Sequence, residues 1–175
     1  MNNFIYEKLA VTNLKNNRKT YVPYIFTGVL TVMMFYIIDA LSRGKGITQD
    51  TLKICLQYAT GVIVVFAVIF LFYTNSFLIK RRKKEIGVYN ILGMGKGHLG
   101  KMLFLESVIT TVASIIGGIL AGILLSKLVY LILLKILHMG GKIEYRISLA
   151  SIGMTTIFFG AIFILIFLYN LLQMK

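Results

Sequence analysis

The chain has 175 residues but no tryptophan, one proline, one cysteine, two histidines and only six acidic residues. A single cysteine, Cys55, cannot close an intrachain disulfide. His98 and His138 are isolated from each other and from Cys55, so a metal site has no ligand cluster. No nucleophile–base pair or carboxylate dyad can be assembled either, which removes an enzyme reading and gives no reason to expect a cofactor. Apolar and polar residues do not alternate with a period of two, so the strands of a membrane barrel are excluded. The shortage of acids against 19 lysines and arginines leaves a net charge of +13. In a soluble protein that charge would suggest nucleic acid as a partner. There is no aromatic-interleaved basic groove here, and the basic residues gather instead at the ends of apolar runs, as topology determinants do.

Those runs are what the sequence has in abundance. Hydrophobic residues make up 58% of the chain, above the usual range for soluble domains. Apolar stretches cover residues 20–38, 58–79, 107–126 and 147–174. Each approaches or exceeds the roughly 20 helical residues that cross a hydrocarbon core of about 30 Å. Backbone groups inside lipid must satisfy one another, so these are helices. The expected fold is an all-α integral membrane protein with four transmembrane helices, at about 20–41, 58–80, 102–127 and 148–172. The first is a retained span rather than a signal peptide. Its leader and apolar run are too long, and Ile38-Asp39-Ala40 is a poor cleavage site.

Twelve lysines and arginines fall on the side of the termini and the second connection, seven on the other. The dense Lys80-Arg81-Arg82-Lys83-Lys84 run dominates, which predicts both termini and that connection on the cytoplasmic side. The leader, residues 1–19, is expected to form an amphipathic helix on the membrane lipid. Lys8, Lys15 and Lys19 share a narrow sector, while Ile5, Tyr6, Leu9, Ala10 and Leu14 spread over the opposite half. Phe4 and Val11 fall on the basic side, and a frayed tail is the alternative. Pro23 is placed in the first turn of the first span, where a missing N–H costs least. Asp39 ends that span and is expected to be solvated.

After Lys80 the helix is predicted to continue through Leu92 and stop at Gly93. Ile86, Tyr89 and Leu92 share a face, with Lys84 and Glu85 near its start. Such a cytoplasmic extension suits a partner protein, although a basic stop-transfer run followed by a tight hairpin fits the spacing equally. Gly95-Lys96-Gly97-His98-Leu99-Gly100 matches a dinucleotide fingerprint in letters only, because no strand precedes it. A P-loop fails too, with Asn90 at its first glycine and Gly97 at its Ser/Thr.

In the third span Ser114, Gly118, Gly122 and Ser126 recur every four residues, with Ala113, Gly117 and Ala121 beside them. Small residues let a second helix approach closely, so this stripe is assigned to helix packing. Glu106 opens the span near the interface. An ionisable residue there is a functional candidate, and pairing with Lys101 or the basic run is preferred over proton transport. The apolar sequence continues past Lys127 and Lys135. A continuous helix over residues 102–137 would measure about 54 Å, so it must protrude or bend at the interface.

The stretch Arg82-Lys83-Lys84-Glu85-Ile86-Gly87-Val88-Tyr89-Asn90-Ile91-Leu92-Gly93-Met94, then Leu103-Phe104-Leu105-Glu106 and the Gly117-Gly118 to Gly122 run, resembles the FtsX-like permease domain. Leu9-Ala10-Val11-Thr12-Asn13-Leu14-Lys15, Tyr21-Val22-Pro23-Tyr24, Phe35-Tyr36 and Tyr73-Thr74-Asn75-Ser76-Phe77-Leu78-Ile79-Lys80 resemble one branch, the bacitracin-export type of ABC transporter permease. The matching pieces cover nearly the whole chain in order. The resemblance implies a permease subunit, itself not an enzyme, paired with a separate ABC ATP-binding subunit and acting in antimicrobial-peptide resistance, often alongside a sensor histidine kinase. It implies that Lys84, Glu85, Ile86 and Gly87, with Tyr89 and Leu92, couple the ATPase to the spans. Such permeases have more than four spans and a large extracellular domain. The chain is therefore expected to be the N-terminal portion, working with the remaining permease half or a second copy. A stand-alone secondary transporter using Glu106, or a regulatory membrane interaction protein, are the alternatives.

The topology has a direct check. A cysteine placed at Gly95 in a Cys55→Ser background is expected to react with an impermeant thiol reagent only from the cytoplasmic side. Reaction from outside in intact cells would overturn the orientation.

Overall fold

The computed structural model describes residues 11–44, 50–91, 96–136 and 147–173. Among these there is no strand, and four long helices account for nearly all of them: α1 Arg18–Ser42, α2 Asp50–Ile91, α3 Lys96–Ile136 and α4 Leu149–Gln173. Each contains a stretch long and apolar enough to cross a membrane, at Arg18–Ser42, Thr51–Arg82, Gly100–Leu133 and Leu149–Leu172. The all-α, four-span expectation holds. The 42 residues of α2 and 41 of α3 are far more than a span requires. At 1.5 Å per residue each measures about 60 Å, twice the core thickness. In α3 the helix runs through Lys127 to Ile136 without a break, and Lys127 and Lys135 are both exposed.

The described end of the leader, residues 11–16, is helical and turns at Asn17 into α1. Ile5, Tyr6, Leu9 and Ala10 of the expected amphipathic face lie outside the described residues. The Asn17 carbonyl accepts from the amides of Thr20 at 2.9 Å and Tyr21 at 3.1 Å, so α1 starts at Arg18. Pro23 consequently sits beyond the first turn, inside the helix, where its ring removes a bond to the Lys19 carbonyl. The early start follows from the polar Arg18-Lys19 pair being wound into the helix rather than left in a loop. Asp39 also departs from expectation. It is buried, and Arg43, one turn later, covers it with Nε 2.9 Å from Oδ2.

The bundle is apolar on its outer faces as well as in its core, and its polar side chains are gathered inside. Phe66, Ile69, Phe70 and Tyr73 on α2 and Leu120 and Leu124 on α3 are exposed. Asn75, Arg82, Glu106, Ser114, Thr155 and Asn170 are buried. Hydrocarbon solvent selects apolar outer faces with the polar groups paired inside, because a polar group facing lipid has no partner.

Helix α1, first in sequence, lies innermost and touches the other three helices. Its Tyr24, Val32 and Phe35 join Leu71 of α2 and Phe159 and Phe163 of α4 in the principal core. The Phe35 ring stacks on Phe158 at 5.3 Å and meets Phe159 edge-on at 5.6 Å. Against α3 the contact is backbone-close. A Cβ on Gly118 would lie 2.5 Å from the Val32 side chain and 3.0 Å from the Val29 carbonyl. One on Gly122 would lie 2.7 Å from the Tyr36 ring, and one on Gly28 would lie 2.6 Å from Ser114 Oγ. Gly28, Val32 and Tyr36 thus advance turn for turn with Ser114, Gly118 and Gly122. The two helices are parallel, as two spans separated by one full return must be.

This close approach makes a prediction. Gly118→Val should destabilise the bundle by about 1–3 kcal/mol through overpacking. Gly160→Ala on α4, where nothing lies within 4 Å of the new Cβ, should be nearly neutral. Denaturant unfolding in detergent, followed by circular dichroism, compares them. Equal behaviour would contradict the packing.

Candidate functional site

The polar residues of the interior meet where α2 and α3 cross near one end of the bundle. Glu106 stands about three turns into α3, and Arg82 is the last residue of the apolar stretch of α2. Both are buried to 2% exposure. The guanidinium clasps the carboxylate with two nitrogens. Nη1 donates to Oε2, and Nη2 donates to Oε1 at 3.1 Å. Two further donors come from the N-terminal side. Asn13 Nδ2 donates to Oε1 at 2.8 Å and the Tyr21 hydroxyl donates to Oε2 at 2.9 Å. The Tyr21 ring also lies under the guanidinium, 5.4 Å from centroid to Cζ, a cation–π contact in a desolvated setting. Asn17 Nδ2 donates to Asn13 Oδ1 at 3.1 Å, which orients the Asn13 amide. Each carboxylate oxygen therefore accepts two hydrogen bonds, and the acid joins three helical segments.

Two turns deeper on the same face of α2, Asn75 meets Asn170 of α4. Their amides exchange hydrogen bonds, Asn75 Nδ2 to Asn170 Oδ1 at 2.7 Å and Asn170 Nδ2 to Asn75 Oδ1 at 3.0 Å. A narrow cleft bordered by Tyr24, Asn75, Arg82, Glu106, Thr110 and Asn170 links the two polar layers. Low dielectric strengthens such fully paired networks, and the same property makes a half-paired one expensive.

The residues singled out by sequence are distributed as follows. Glu106 pairs with Arg82 of the basic run, while Lys101 is exposed. Ser114, Gly118 and Gly122 line the contact with α1, and Ser126 is buried one turn farther, its hydroxyl donating to the Ile123 carbonyl at 2.9 Å. Lys84, Glu85, Ile86, Gly87 and Tyr89 are wound into the final part of α2, with Gly87 exposed. The side chains of Lys84, Glu85, Ile86 and Tyr89, and Leu92 entirely, lie outside the described residues. Asn13, Tyr21, Asn75 and Asn170 were not singled out as site residues. A usable signal existed for Asn75 and Asn170, since an amide inside an apolar span calls for a partner.

Four apolar helices of spanning length around paired polar groups define a multi-pass helical membrane protein. The family described as FtsX-like permease C-terminal matches residues 59–175. The bacitracin export permease protein BceB of Halalkalibacterium halodurans is 33% identical over 171 residues, covering 95% of this chain and 26% of that protein. BceB of Bacillus subtilis is 31% identical over 167 residues, 93% of this chain and 26% of that protein. An uncharacterized ABC transporter permease of B. subtilis, YvcS, is 32% identical over 153 residues, 84% of this chain and 24% of that protein. The chain belongs to the FtsX-like permease family. It spans about a quarter of the length of these relatives.

Removing one partner of the clasp leaves an uncompensated buried charge. Glu106→Gln and Arg82→Met are each expected to cost about 3–5 kcal/mol, and the double variant less than the two together. Unfolding in detergent reads this out; single variants as stable as the parent would show that the pair is not held as described.

Proposed function

We propose that this chain is the four-span portion of an ABC transporter permease that works with a separate ATP-binding subunit and with the remaining permease half or a second copy. The assembled transporter couples ATP hydrolysis in that subunit to resistance against, or export of, antimicrobial peptides, and a sensor histidine kinase acts beside it. Likeness to permeases named for bacitracin export, extending over nearly the whole chain, supports the reading.

The single observation that carries the coupling role is the course of α2. The helix does not end where its apolar stretch ends at Arg82 but continues to Ile91. A continuous helix is stiff, and this one is clasped at its exit point by Glu106. A push on Lys84, Glu85, Ile86 or Tyr89 would therefore reach α1 and α3 through Arg82 rather than dissipate in a loop. The stand-alone transporter reading lacks comparable support, because both oxygens of Glu106 are already engaged by donors.

The test is co-purification of the tagged chain with an ATP-binding subunit of the bacitracin-export type. Recovery is expected for the parent and should fall to background for the Lys84→Glu/Glu85→Lys double variant, with helicity unchanged. Absence of the subunit in every nucleotide state would remove the proposal.

A further inference from the structure

At the surface of the bundle, α3 and α4 part to leave an apolar groove of about 140 Å³. Val108 and Val112 form one wall, Phe163 and Ile164 the other. Phe104 and Phe167, edge to face at 5.3 Å, mark its outer end. Gly160 marks its inner end, where a Cβ would meet nothing within 4 Å. An empty groove forfeits dispersion contacts along its lining.

Two features identify the occupant. The first is charge. Lys101 is exposed and begins the strip that leads into the groove. At 100° per residue, Lys101, Val108 and Val112 fall within about 40° of one another on α3. The nearest acid along the helix, Glu106, points into the bundle and is held by Arg82, so among the described residues it is not available to Lys101. The second is depth. From Lys101 to Val112 is about 16 Å of helix, half of the roughly 30 Å hydrocarbon core. The groove is one leaflet deep. A transmembrane helix would need a contact continuing through the other leaflet, whereas a lipid tail needs only this one.

We propose that the groove binds one anionic phospholipid, an acyl chain lying between α3 and α4 and the headgroup phosphate meeting Lys101. The site is separate from the polar clasp and does not depend on an ATP-binding partner.

Native mass spectrometry of the purified chain, supplied with phosphatidylglycerol or phosphatidylcholine of identical acyl chains, tests it. One phosphatidylglycerol per chain should be retained, about fivefold more strongly than phosphatidylcholine, the factor a single interfacial lysine supplies. Lys101→Glu should abolish that preference while leaving weak retention of phosphatidylcholine. Gly160→Leu, which plugs the inner end, should lower retention of both lipids without loss of helicity. Independently of that variant's folding, a phosphatidylglycerol with a photoreactive acyl chain should label residues 104–112 and 160–167 in the unaltered protein. Equal retention of the two lipids, an unchanged Lys101→Glu or folded Gly160→Leu variant, label spread evenly around the bundle, or a protein dimer in place of the lipid adduct would each overturn the proposal.

Discussion

A carboxylate and a guanidinium need either water or partners, and in the interior of this bundle only partners are within reach. That constraint sets the position of Glu106 and Arg82, and much else follows from it. The four hydrogen bonds on the Glu106 carboxylate come from three helical segments, so α2, α3 and the start of α1 are fixed relative to one another at a single point. The Asn75–Asn170 pair applies the same logic to α2 and α4. Apolar packing alone would tolerate small rotations of these helices, since one greasy contact is nearly as good as the next. Directional hydrogen bonds in a medium without competing water remove that freedom.

Packing and polarity then divide the work. Between α1 and α3 the absence of side chains at Gly118 and Gly122 lets the helices approach until Val32 and Tyr36 sit where a Cβ would otherwise be. This close parallel contact draws the first helix of the chain into the middle of the bundle. It also carries Tyr21, near the start of α1, to the level of Glu106. The polar clasp and the small-residue stripe are therefore parts of one arrangement: the stripe sets the distance between α1 and α3, and the clasp sets their level. The outer faces, freed from holding the fold together, remain apolar for lipid.

For a member of the FtsX-like permease family that spans about a quarter of its relatives' length, the mechanical consequence is the important one. Under the coupling role proposed above, a helix of 42 residues that continues past its clasp would carry displacement along α2 into the bundle. In that proposal the coupling at Arg82 would depend on its pair with Glu106 being intact.

The local pattern of residues determined the number of helices, their approximate positions and their membrane setting, because hydropathy over about 20 residues is a property of each segment alone. It also marked Glu106 as unusual and Ser114, Gly118 and Gly122 as a surface for another helix. It could not decide which of five consecutive basic residues would meet the acid, that Asn13 and Tyr21 would complete the set, or that α1 would be the helix against the glycines. It misplaced Pro23 by a turn and left Asp39 to the solvent, since helix ends depend on neighbours such as Asn17 and Arg43. Contacts between residues 24 to 95 positions apart arise only when whole helices settle against each other. Their relative rotation and depth are set by the sum of many side-chain contacts, and no single segment encodes that sum.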